Sequence, residues 1–248
     1  MPRIRNLYDP ESTSPYRLSR TKLENFLKCP RCFYLDRRLG VGQPPGFPFN
    51  INSAVDELLK REFDKCRNAG VAHPYMVDAG IKAVPADHSD LDEWRKNFVG
   101  VSHLHPATNF EVFGAIDDLW LGEDGKYLVV DYKATAKKEE VNLDADWQIS
   151  YKRQMEIYQW LLRKNGLPIS NRGWFVYCNG KRDLERFDNK VEFRVSLLPY
   201  DGNDDWVETA LIEAKETLNR SNLPPADASC DFCSYRRETA VFERLLEG

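Results

Sequence analysis

Apolar positions recur at helical spacing from Ser19 to Phe33, where Leu23, Phe26 and Leu27 follow a serine suited to cap the first turn. A second helix is expected over Asn52–Asn68, with Val55, Leu58, Leu59 and Phe63 on one face. Between them, GVGQPPGFPFN (40–50) has the composition of a loop, and residues 1–15 read as polar and extended. The middle of the chain alternates instead. FEVFGAIDDLWL (110–121) predicts one strand, GEDGK a turn, and YLVVDYKA (127–134) a second strand, so the two form a hairpin. A long helix follows over Asp146–Lys164, stopped by Asn165-Gly166. Strands are expected at Gly173–Cys178 and Val191–Leu198. A helix over Asp204–Arg220 ends at Pro224-Pro225, and a cysteine-bearing turn leads into a short C-terminal helix.

This order predicts a single α/β domain over residues 1–248. It has a helical N-terminal part (19–109), a mixed central sheet with its long helix (110–200), and a C-terminal helix with a cysteine lobe (201–248). No apolar run approaches the roughly 18 residues of a membrane span. MPRIRNLYDPESTSPYRL has no apolar core of a signal peptide, so a cytoplasmic protein is expected. Lys and Arg number 35 and Asp and Glu 39, a net charge of −4. That excludes a histone-like basic protein, but not an enzyme that gathers its cations in one cleft.

Strand alternation puts Asp131 and Lys133 on one face. Asp117, on the preceding strand, comes beside Asp131 if the two strands form a hairpin. Two carboxylates at strand ends offer oxygen ligands to a hard cation such as Mg2+ or Mn2+. In phosphodiester hydrolysis such a cation polarises the phosphoryl group and lowers the pKa of a bound water. A lysine beside that water orients it and offsets charge on the phosphate. On the long helix, Gln154 and Tyr158 are four apart and share a face. Tyr151, one turn earlier, reads as core.

Six cysteines without an export signal point to metal ligation in a reducing compartment. Cys29-Pro-Arg-Cys32 and Cys230-Asp-Phe-Cys233 are two C-x-x-C pairs near opposite ends of the chain. If they meet, four thiolates suit a structural zinc or an iron–sulfur cluster. Cys66 and Cys178 read as core residues, and the four histidines lie in no motif. Short basic groups (Arg17, Arg20 and Lys22; Arg31, Arg37 and Arg38; Lys137 and Lys138; Lys152 and Arg153; Arg236 and Arg237) are candidate phosphate contacts. Phe33, Tyr34 and Tyr235 are candidate stacking platforms. No Gly-rich phosphate loop is present.

The ordered set GAID (114–117), VVDYKAT (129–135) and QMEIY (154–158) resembles the Gly-x-x-Asp, Asp-x-Lys and Gln-x-x-x-Tyr signatures of the RecB-like branch of the PD-(D/E)XK nuclease superfamily. SRTKLENFLKCPRCFYL resembles that branch's first helix, including that of the CRISPR-associated RecB-like exonucleases. The resemblance covers residues 19–237. It implies a restriction-endonuclease-like core and a metal-dependent DNA nuclease, an exonuclease, with Asp117 and Asp131 as Mg2+ or Mn2+ ligands and Lys133 as the catalytic lysine. Gln154 and Tyr158 would line the DNA path. The implied partners are DNA, single-stranded or with free ends, and a helicase or a CRISPR integration complex. The alternative is a nuclease-fold DNA-binding or assembly module with weak or no catalysis. Where the branch carries a histidine on its early helix, this chain has Asp56, a competent third oxygen ligand. The resemblance favours a 4Fe-4S cluster at Cys29, Cys32, Cys230 and Cys233, stapling the ends of the chain, over zinc.

Overall fold

A computed structural model describes residues 6–44, 46 and 50–247, so parts of the predicted N-terminal segment and of the 40–50 loop lie outside the described residues. In chain order the elements are β1 (Tyr16–Ser19), α1 (Arg20–Lys28), α2 (Pro30–Arg38), α3 (Asn50–Ala69), α4 (Pro74–Asp78), β2 (Ala83–Pro85), α5 (Leu91–Trp94), β3 (Val101–His105), β4 (Phe110–Gly114), β5 (Asp118–Gly122), β6 (Tyr127–Thr135), α6 (Ile149–Lys164), β7 (Arg172–Gly180), β8 (Phe193–Asp201), α7 (Trp206–Asn219) and α8 (Asp231–Glu247). They make a mixed α/β fold. A three-stranded sheet has the order β1-β4-β3 and a five-stranded sheet the order β2-β5-β6-β7-β8. No helix among the described residues is long and apolar enough to cross a membrane.

The chain divides into two compact units. One comprises residues 1–46, 104–112 and 205–248; the other comprises 47–103 and 113–204.

The second unit holds the five-stranded sheet. β5 and β6 form the expected antiparallel hairpin, with Asp118 opposite Val130. β6 and β7 are parallel, so the chain must cross over between them, and α6 is that crossover. Alternation along β6 then decides which side chain meets which helix. Val130 and Tyr132 join Trp120, Val176 and Cys178 in a core closed by Leu59 and Phe63 of α3. Phe63 stacks on Trp120 at 5.6 Å, and both are fully buried. Burying such a side chain contributes about 1.5–3 kcal/mol. Asp131 and Lys133 project from the opposite face of β6, where Gln154 of α6 reaches Asp131.

In the first unit α1, α2 and α7 pack together. The helix expected over 19–33 is two helices. Ser19 caps α1 as anticipated, accepting a hydrogen bond from Lys22 N. The break falls at Cys29, which is extended (φ −162°, ψ 102°) and serves both as the last cap of α1 and the first of α2. Pro30 explains it: a proline pushes the residue before it out of helical geometry and is itself well placed at a helix start. The strand expected over 110–121 is likewise two, β4 and β5, which belong to different sheets. α8 is not short but has 17 residues, and it begins inside the second cysteine pair.

Candidate active site and metal centre

Continuing the β5–β6 register by one residue brings Asp117 opposite Asp131. The Asp117 carboxylate accepts a hydrogen bond from Tyr132 N at 2.8 Å. Its neighbour Asp118, itself fully buried, points the other way. There it meets Arg67, Arg95 (2.8 Å) and the Tyr132 hydroxyl (2.8 Å). Of two adjacent acids, Asp118 opens β5 and is committed to structure, while Asp117, in the bend just before the strand, is left at the site.

Asp131 is fully buried at the centre of a tight group. Lys133 Nζ contacts its carboxylate. Gln154 Nε2 donates to its other oxygen at 2.7 Å and also to the Tyr158 hydroxyl at 3.1 Å. Lys133 in turn donates to Gln154 Oε1 at 3.3 Å. All four residues expected from the β6 and α6 motifs are thus linked by hydrogen bonds or ion pairs. Tyr151, expected in the core, instead half-faces the site, its ring 4.5 Å beneath Lys133 Nζ. Burial pushes its hydroxyl pKa up, and the nearby Asp131 adds to that.

Asp56 and Lys133 line the same cavity of about 230 Å3, together with Asn52, Val55, Ala134 and Tyr151. Sequence reasoning missed Lys60. One turn beyond Asp56, its ammonium lies 2.8 Å from the Asp56 carboxylate and 3.8 Å from that of Asp117. The helical spacing of the pair was readable; its reach to Asp117 was not. Burial raises the Asp117 pKa above the usual carboxylate range, and Lys133 and Lys60 pull against it. Asp56, Asp117 and Asp131 do not themselves form a tight cluster. Among the described residues, the group of acids, histidines or cysteines whose ligand atoms all lie within 4.8 Å is the cysteine quartet. The carboxylates still suit a hard cation: they are oxygen donors, and one positive group, Lys60, already reaches two of them.

In the other unit, the two cysteine pairs meet. Cys29 Sγ lies 3.6 Å from Cys233 Sγ, and Cys32 Sγ lies 3.7 Å from Cys230 and 3.8 Å from Cys233. The quartet joins the N- and C-terminal regions, as the pattern predicted, and can hold a metal. Burial pushes the Cys29 and Cys32 thiols up. Burial acts on Cys230 in the same sense, but hydrogen bonds from the Cys233 N–H and the Cys32 thiol outweigh it and hold Cys230 below its usual value. Cys178 is core, as expected, and Cys66 is half-buried.

Several expected nucleic-acid contacts are used within the fold. Lys22 and Arg37 both pair with Asp36, and Arg17 pairs with Glu111. Phe33 and Tyr34 are buried, so neither offers a face to a base, whereas Tyr235 is exposed.

The profile of the PD-(D/E)XK nuclease superfamily matches residues 50–237. No curated protein matches the chain. Among solved structures, the crystal structure of SSO0001 is similar over 89% of this chain and 84% of that one, with 18% identity and a TM-score of 0.39, a likeness too distant to bear on function.

Proposed function

The chain belongs to the PD-(D/E)XK nuclease superfamily, and from that premise we propose that it is a Mg2+- or Mn2+-dependent deoxyribonuclease of the RecB-like branch, acting as an exonuclease. The observation that carries this reading is Lys133, held between the Asp131 carboxylate and the Gln154 amide. Asp117 and Asp131 would hold the cation, with Asp56 able to add a third oxygen donor. When bound, such a cation would supply Lewis-acid polarisation of the phosphate and activation of water. Lys133 orients the attacking water and offsets the charge that grows on the phosphate. Gln154 fixes Lys133 and Asp131 relative to each other, and with Tyr158 it guides the substrate strand past them. The test is cleavage of end-labelled single- and double-stranded DNA with Mg2+, Mn2+ or EDTA. Metal-dependent shortening by the wild type, absent in Asp131→Ala, is expected. DNA binding without cleavage under any of these metals would instead favour the assembly-module reading.

For the cysteine quartet the sulfur spacing supports zinc over the 4Fe-4S cluster favoured by the resemblance. Four thiolates at a Zn–S distance of about 2.3 Å around one tetrahedral ion sit about 3.8 Å apart. The shortest separations here are 3.6–3.8 Å. In a 4Fe-4S cluster each cysteine binds a different iron of a cube, which spreads the sulfurs wider than a single ion does.

A further inference from the structure

At the end of β6, two residues beyond Thr135, Lys137 and Lys138 line a cavity of about 430 Å3 with Lys181, Arg182, Asp183 and Arg194. Five cations face one carboxylate, in a chain whose net charge is −4. The cluster is built rather than scattered. Asn179, buried on β7, accepts a hydrogen bond from Lys137 N at 2.8 Å and donates to Lys137 O at 3.1 Å. One amide therefore pins the lysine-bearing segment beside the strand ends. Arg194 sits opposite Asn179 in the β7–β8 register.

Much of this charge is uncompensated. Lys181 shares Glu192 with Lys190, and Lys137 lies over the Trp147 ring. Among the described residues Arg182 reaches only the Ala136 carbonyl, at 3.4 Å. Lys138 and Arg194 are exposed and have no ion-pair partner among the described residues. Cations held together without counter-charges repel one another, and an anion in the cavity relieves that repulsion.

We propose that this cavity is a second phosphate site, separate from the carboxylate–lysine site, that grips a backbone phosphate of the nucleic-acid strand on which the chain acts. The inference rests on the nuclease reading for its ligand. Lys137 follows Lys133 by four residues, a span of at most about 13 Å in extended chain, equal to about four nucleotides along a B-form strand. A strand lying at Lys133 can therefore reach the cavity. The volume also suits a nucleotide unit better than a lone small anion.

The test is oligonucleotide binding in EDTA across a salt series, with the double variant Lys138→Ala/Arg194→Ala. Both side chains are exposed, so the fold is spared, and circular dichroism confirms it. Losing two contacts to a single strand should flatten the slope of log affinity against log salt by about 1.4. Lys82→Ala, at another exposed and weakly paired lysine, should leave the slope unchanged. A double variant with wild-type slope and affinity overturns the proposal. So does protection of the wild type by inorganic phosphate with no change in oligonucleotide slope, which would make the cavity a free-anion site. Metal-dependent cleavage with an unchanged slope removes this site and leaves the nuclease. A flattened slope in a protein that cleaves nothing keeps the site and removes the nuclease. A wild type that binds no oligonucleotide removes both.

Discussion

Lys133 is hemmed in by an anion, an amide oxygen and an aromatic face. These fix its ammonium more tightly than substrate binding requires, which suits a role in the transition state. Lys133→Ala should therefore slow single-turnover cleavage by about a hundredfold or more while leaving DNA affinity in EDTA near wild type. Loss of affinity with turnover kept at saturating DNA would make Lys133 a phosphate anchor. Asp131→Ala should cost about a hundredfold to ten-thousandfold, because a cation ligand is lost. Asp56 is the subtler position, since Lys60 already neutralises it. If Asp56 is a ligand, Asp56→Asn raises the Mn2+ concentration needed for half-maximal cleavage. A superimposable metal titration would leave Asp56 as no more than the partner of Lys60. The residues on β6 and α6 were readable from the chain because strand and helix periods place them locally. Lys60 was not, because long-range packing of α3 brings it to Asp117, and for Tyr151 the helix period gave the stripe but not that its ring lies under Lys133 rather than in the core.

The α1–α2 pair shows what local pattern hides and what packing then adds. Apolar spacing continues through Cys29, so the break there is visible only in Pro30, and the turn needs its own brace. Asp36 supplies it, linking Lys22 of α1 (2.6 Å) to Arg37 of α2 (2.8 Å). Burial opposes ionisation of Asp36, but the hydrogen bonds from Arg37 and Lys22 win, and its pKa is lowered. A carboxyl whose folded pKa lies below its unfolded value of 3.8 stabilises the fold above that value. The contribution is lost as pH falls through the lower folded value. Asp36→Asn should therefore cost about 1.5–3 kcal/mol at neutral pH, the worth of hydrogen bonds to a charged group. The difference in thermal midpoint from wild type should shrink as pH is taken below 4. A difference that stays constant from pH 7 to pH 3 would mean that shape, and not charge, is what Asp36 contributes. The split of the 110–121 strand has a similar origin. β4 alternates in burial as a strand should, β5 is buried at three successive positions, and residues 115–117 between them lie in neither strand before the chain enters the other sheet.

Across the whole molecule, the two cysteine pairs can serve one centre only because the ends of the chain return to one unit. Residues 29–32 and 230–233 are separated by nearly the full sequence, yet all four sulfurs lie within 4.8 Å of one another, three of the separations between the pairs being 3.6–3.8 Å. Pattern alone suggested the meeting; the spacing of the sulfurs was not legible, because it depends on how Cys29 ends α1 and how α8 begins. A centre that closes so long a loop removes chain entropy that grows only slowly with length, so most of its contribution comes from the metal–sulfur bonds. Cys230→Ala should accordingly reduce bound metal at this centre to near zero and lower the thermal midpoint. It should also raise hydrogen exchange in α1, α2 and α8 together, because the three lose a common anchor. Cys66→Ala, outside the quartet, should keep the metal and change the midpoint little. Elemental analysis of protein prepared anaerobically, with both iron and zinc supplied, decides the metal. One zinc per chain in a colourless protein is the expected result, because the sulfurs are spaced for a single ion. Iron with sulfide and broad visible absorption would overturn zinc in favour of the cluster. Exchange that rises in α8 alone would show that the centre does not anchor the two ends jointly.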